Sequence, residues 1–166
     1  MKIQETTLPG VLLLTPQIFH DSRGAFLETY NHRRMAEAGL PTVWLQDNFS
    51  LSKKNVLRGL HYQITQPQGK LVRVVHGAVL DVAVELTAES GSMLWIPPGF
   101  GHGFLALTED VGFAYKVTDY YAPAAERTVV WNDPDLAIAW PIAADQAIVS
   151  EKDRAGSLLK DSELFD

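Results

Sequence analysis

The chain has 166 residues, 46% hydrophobic and 20% charged, with a formal net charge of −6 and no cysteine. That length suffices for one domain with a sizeable core, so a single domain over residues 1–166 is expected. The acidic balance argues against a nucleic-acid partner, since an acidic chain gains nothing from counterion release. The missing cysteines exclude disulfides, thiolate catalysis and Cys-ligated metal sites.

Residues 1–7 lack the apolar core of a signal peptide. No apolar run approaches the roughly 18 residues that span a membrane, and the default expectation is a cytoplasmic protein. In chain order, strands are predicted over 10–14, 25–30 and 43–48. Between the last two lies the one good helix signal: Asn31 as N-cap, residues 33–38 as the body, then Gly39 and Pro41 as stops. Strands follow over 56–63 and 70–76. The stretch 78–86 alternates as one strand, with Leu80, Val82, Val84 and Leu86 on one face. Asp81 and Glu85 share the other face with the smaller Val79 and Ala83. Strands over 93–96, 103–107, 111–118 and 128–131 complete the set, and a short helix is expected in the polar tail from Ile148 onward. Many short strands punctuated by Gly and Pro predict an all-β antiparallel sandwich or barrel.

Two clusters carry chemistry. The first is Arg58-Gly59-Leu60-His61-Tyr62-Gln63, followed by Gly69-Lys70-Leu71-Val72-Arg73. A lone histidine in a barrel strand is more often a satisfied core residue. Arg58 and Lys70 alter that weighing, because two cations beside one imidazole favour its uncharged form. An uncharged imidazole accepts a proton near neutral pH, and the cations suit a phosphate or a developing oxyanion. The second cluster runs from Gly91 through Pro97-Pro98-Gly99 to His102 and fits the second cupin motif. Metal-binding cupins use a His-x-His pair, a Glu and a further His. Here His61-x-Gln63 replaces the pair and Lys70 stands at the Glu position. An ammonium repels a divalent cation and an amide is a poor ligand, so no catalytic metal is expected; a cofactor-independent reaction is expected as well.

The stretches Asp21-Ser22-Arg23-Gly24-Ala25-Phe26-Leu27-Glu28, Gln46-Asp47-Asn48-Phe49-Ser50, Leu57 to Gln63 and Gly69 to Arg73 occur in an order that resembles the dTDP-4-dehydrorhamnose 3,5-epimerases. So do Ile96 to Phe104, Tyr115-Lys116 through Tyr120-Tyr121, Trp131-Asn132-Asp133-Pro134 and Ser150-Glu151-Lys152-Asp153, and together they cover nearly the whole chain. The resemblance implies a homodimeric cupin, a double-stranded β-helix jelly-roll barrel with a few short helices, acting on dTDP-4-keto-6-deoxy-D-glucose. By the same resemblance His61 is the base that removes protons from carbons 3 and 5, and Asp153 orients it. Lys70 stabilises the enolate oxygen and Tyr115 returns a proton from the opposite face. His102 and Arg58 contact sugar or phosphate, and Tyr121 stacks on the thymine. Gln46, Asp47, Asn48, Glu126 and Lys152 bind the nucleotide, while Arg23 and Glu28 act in the partner's site.

The chemistry supports these assignments. A proton α to a ketone is acidic only because the enolate delocalises onto oxygen, so the site needs a base by the carbon and a cation by the oxygen. Inversion needs an acid on the other face. Asp133 reads as a turn residue before Pro134 without a chemical role. Three other functions fit less well: a 3-, 5- or keto-isomerising relative, a nucleotide-sugar-binding cupin without catalysis, and a metal-dependent oxygenase. One departure stands out. Family members usually carry a further turn and strand after the Asp81 strand, whereas here Val82-Ala83-Val84-Glu85-Leu86 passes directly into Thr87-Ala88-Glu89-Ser90-Gly91. Loss of one strand would reverse the direction of the next.

Overall fold

Alternating side chains build two antiparallel sheets. The computed structural model describes residues 1–82 and 84–165. One sheet runs in the order β1 (Lys2–Glu5), β2 (Leu12–Thr15), β10 (Met93–Ile96), β7 (Lys70–His76), β12 (Val111–Val117), β5 (Gln46–Ser52). The other runs β13 (Glu126–Thr128), β6 (Val56–Gln63), β11 (His102–Ala106), β8 (Ala78–Asp81), β9 (Glu85–Thr87), with β14 (Ile148–Val149) parallel to β6. A separate hairpin joins β3 (Ile18–Asp21) to β4 (Gly24–Leu27). This is the expected all-β jelly roll. Among the described residues the α-helices are α1 (His32–Glu37) and α2 (Glu151–Arg154), with short 3-10 turns at Pro123–Ala125 and Leu159–Asp161, and none is long and apolar enough to cross a membrane.

The core lies between the sheets, where Val72, Val74, Val79, Leu94, Phe104 and Phe113 pack together. β7 is buried on both faces, because Leu71 joins a second cluster with Leu14, Met35 and Trp95 on the outside of its sheet. α1 supplies Met35 to that cluster, and its N-cap Asn31 accepts a hydrogen bond from the Arg34 N–H at 3.2 Å. The outer face of the second sheet is covered by the segment after β13, which brings Trp131 and Trp140 against Leu57 and Leu105. Asp133 anchors that segment. Its buried carboxylate accepts from the backbone N–H groups of Asp135, Leu136 and Leu159, so its role is structural.

The boundaries predicted for β6, β7 and β10 match those observed. β5 starts later than predicted, because residues 43–45 cross the outer cluster with Trp44 against Trp95 before the ladder with β12 begins. β1 and β3 were not predicted: both are short, and their faces are mostly exposed.

The largest correction concerns 78–86, of which Ala83 lies outside the described residues. The stretch is a hairpin, not one strand. β8 and β9 pair antiparallel with Val79 opposite Leu86, and Asp81 and Val84 exchange both backbone hydrogen bonds, at 2.9 and 3.2 Å. Val79, Asp81 and Leu86 are buried, Leu80 is partly exposed and Glu85 is exposed, so the two faces read from alternation do not carry through the turn. No strand direction is inverted. A hairpin shortened at its tip loses length from both arms, so the next strand keeps its direction.

Candidate active site

Two glycines set the register of the site. At Gly59 on β6 and Gly103 on β11, an added Cβ would approach the other strand's backbone to 2.6 Å. Only residues without a side chain allow this approach, and the register shifts beside it. His61 and His102 are thereby brought opposite each other on neighbouring strands. Both lie on the wall of a cavity of about 450 Å³ between the sheets.

His61 Nε2 lies 2.5 Å from Asp153 Oδ1. Asp153 comes from α2, whose N-cap Ser150 accepts from the Asp153 N–H at 3.1 Å, leaving the carboxylate free to turn inward. Burial alone would raise the pKa of Asp153, but its hydrogen bonds with His61, Ser150 and the Gly59 N–H hold it below the ordinary carboxylate range. An ionised carboxylate only accepts, so His61 donates through Nε2 and keeps Nδ1 free to take a proton. A second pair sits alongside, with His102 Nε2 at 2.7 Å from Asp81 Oδ2.

The facing sheet supplies the other groups. Lys70, at the start of β7, reaches across the cavity and donates from Nζ to the His61 carbonyl at 3.2 Å. Burial lowers its pKa to about 8, against the opposing pull of Asp81 and Glu126. Tyr115 on β12 has its pKa raised by burial and by Glu126, with Arg58 acting the other way. Its phenol therefore keeps its proton at neutral pH. Gln63 turns its amide to backbone groups and Lys70 donates to a carbonyl, so neither is placed as a metal ligand. No cluster of three His, Cys, Asp or Glu side chains that could hold a metal occurs among the described residues.

At the cavity mouth Tyr121 donates from its hydroxyl to Glu126 at 2.8 Å, and Lys152 donates to the same oxygen at 2.6 Å. Burial would raise the pKa of Glu126, but these two bonds keep it lowered. Arg58 donates to Ser52 Oγ at 3.0 Å and to the Leu51 carbonyl. Gln46 and Asn48 complete the rim.

Eleven of the fourteen residues singled out from sequence thus line one cavity. Three do not. Asp47 points to the outer face of β5 and pairs with Lys116 at 2.8 Å, as strand alternation requires beside the inward Gln46 and Asn48. Arg23 sits at the turn of the β3–β4 hairpin on Asp21. Glu28 pairs with Arg34 at 3.0 Å. Sequence reasoning missed Asp81, which alternation placed only on the face opposite Leu80, with no sign of a partner. It also missed Ser150, although a serine three residues before Asp153 is a capping signal.

A jelly-roll barrel that holds a histidine–carboxylate pair against a lysine and a tyrosine in one polar cavity defines a cupin-type sugar epimerase. The chain belongs to the dTDP-4-dehydrorhamnose 3,5-epimerase family, whose model matches residues 5–161. The dTDP-4-dehydrorhamnose 3,5-epimerase of Pseudomonas aeruginosa is 48% identical over 99% of each chain. That alignment runs over 181 positions against 166 residues here, so the relative carries residues that this chain lacks. Among solved structures, dTDP-6-deoxy-D-glucose-3,5-epimerase of Legionella pneumophila in complex with dTDP-4-keto-L-rhamnose has a TM-score of 0.93 at 42% identity, covering 98% of this chain and 94% of that one. A 3'-monoepimerase from Streptomyces bikiniensis in complex with dTDP-quinovose has a TM-score of 0.85 at 32% identity, covering 93% and 86%.

Proposed function

We propose that the protein converts dTDP-4-keto-6-deoxy-D-glucose to dTDP-4-keto-L-rhamnose by inverting carbons 3 and 5. The observation that carries this reading is the placement of His61 with Asp153 on one wall and Tyr115 on the other, with Lys70 reaching between them. His61 takes a proton α to the C4 ketone, the electron pair moves onto the ketone oxygen, and the Lys70 ammonium stabilises the charge. Tyr115 protonates carbon 5 from the opposite face, carbon 3 takes its proton from water in the open cavity, and His61 and Tyr115 exchange their protons with solvent between rounds. His102, held by Asp81, contacts the sugar, and Arg58 takes the diphosphate. Tyr121 stacks on the thymine, while Gln46, Asn48, Glu126 and Lys152 fix the nucleotide end.

Proton exchange in deuterated water tests this. The wild-type protein is expected to place deuterium at both carbons, read by NMR. Tyr115→Phe is expected to keep exchange at carbon 3 and to lose inversion at carbon 5 by about 100-fold. Exchange at carbon 3 alone in the wild type would replace this reading with the narrower reaction of the Streptomyces bikiniensis relative.

The reading includes a homodimer. The β3–β4 hairpin exposes Phe19 and Phe26, the latter 70% accessible, with Arg23 at its turn. Two apolar rings on an outlying hairpin favour a protein surface as their partner, and such docking would carry Arg23 and Glu28 towards the second site. Light scattering is expected to give twice the chain mass, and a monomer in solution would overturn this part.

A further inference from the structure

We propose that Gln63 is a positioning residue that fixes the backbone under Tyr121 and so sets the affinity for the nucleotide base. The proposal rests on the reading of Tyr121 as the stacking surface for thymine.

Gln63 lies at the end of β6, two residues beyond His61, and is 4% exposed. Its Nε2 donates to the carbonyls of Gln66 at 2.7 Å and Tyr120 at 3.2 Å, while its Oε1 accepts from the Ala122 N–H at 2.9 Å. From the other sheet, Gln46 Oε1 accepts from the Tyr121 N–H at 3.0 Å, and Gln46 is itself held through Nε2 on Asn48 at 2.8 Å. Three consecutive backbone groups, the Tyr120 C=O, the Tyr121 N–H and the Ala122 N–H, are therefore taken by two glutamine side chains from different sheets. The segment 118–125 lies outside both ladders, so these groups have no strand partner.

The Tyr121 ring is exposed, and among the described residues its side chain hydrogen-bonds to Glu126 alone. With little packing to hold the ring, its orientation follows from the backbone, and the two glutamines fix that backbone. A flat surface ordered before the ligand arrives spares the ordering cost on binding. Only a primary amide offers two N–H donors and an acceptor at one end without charge. An imidazole lacks the third bond, and a carboxylate would face the two carbonyls with like charge. At the position where metal-binding cupins use a histidine, this chain thus carries the side chain that a three-point backbone clamp requires.

Calorimetric titration of the full-length protein with dTDP and, separately, with inorganic diphosphate tests the proposal. Gln63→Met is expected to weaken dTDP about tenfold, the scale of a lost base stack, and to leave diphosphate within about twofold. The KM for the nucleotide sugar should rise by a similar factor with kcat nearly unchanged. In a Tyr121→Ala background, Gln63→Met should cause no further loss. Gln63→Asn, which keeps an uncharged amide but is one methylene too short to reach all three backbone groups, gives the same comparison if the apolar variant does not fold. Unchanged dTDP affinity, equal weakening of both ligands, or full additivity with Tyr121→Ala would each overturn the proposal. Loss of dTDP affinity in Tyr121→Ala but not in the Gln63 variants would overturn it while leaving the stacking reading intact. No loss in Tyr121→Ala would remove both.

Discussion

His61→Ala is expected to lower kcat by about 1,000-fold and to abolish deuterium incorporation at both carbons, with dTDP affinity nearly unchanged. The expectation follows from the hydrogen bonding of the ring. Asp153 is ionised and takes the proton side of the imidazole, at 2.5 Å, leaving Nδ1 for the substrate. Asp153→Asn should be nearly as damaging, in the range of about 100- to 10,000-fold. An amide N–H facing Nε2 would force the proton onto Nδ1 and block the base. Initial rates by NMR on purified variants decide the matter. His61→Ala that still exchanged both protons at the wild-type rate would move the base elsewhere, and His102, paired with Asp81 on the next strand, would be the first residue to examine.

The second large effect is expected at Lys70. Lys70→Met should cost about 100- to 1,000-fold in kcat, the range for removing one preorganised donor from a developing oxyanion. The pH dependence gives a separate signature. Burial lowers the pKa of Lys70 to about 8, so the ammonium is present below that pH and lost above it. The rate should fall as pH rises through about 8, and Lys70→Arg should move that fall to higher pH. Stability should run the other way. An unfolded lysine keeps its proton to about pH 10.4, so between roughly pH 8 and 10 the unfolded chain binds more protons and stability rises with pH. Activity that fell in step with a melting transition in this range would show that the limb reports unfolding, not Lys70.

Much of this site was legible because its residues fall on strands with regular alternation. His61 and Lys70 lie on β6 and β7, whose limits the sequence showed correctly, and Tyr115 lies on β12, predicted within a residue. The Pro97-Pro98-Gly99 turn marked His102 before any geometry was known. What escaped were features that depend on contacts between distant segments. Asp81 received no role because 78–86 was read as a single strand; the pairing of β8 with β9 and the contact with His102 set its place. Asp47 is a different case: it was drawn in by the matching stretch around it, although alternation on β5 turns it to the outer face, onto Lys116. The amide bonds of Gln46 and Gln63 could not be read at all, since they join residues 75 and 59 positions apart to a segment without regular structure.

The docking of α2 also has a consequence for the order in which the enzyme matures. The base and its orienting carboxylate are separated by 92 positions, and Asp153 is delivered by β14 and α2, which follow every strand of both main ladders in the sequence. During synthesis the N-terminal part of a chain emerges first. A nascent chain could then assemble both sheets and the cavity before its histidine has a partner. Competence for proton transfer would be the last property acquired. Cleavage or mistranslation beyond residue 147 would remove Asp153, the partner of the base, together with Lys152 at the nucleotide end and the buried Val149.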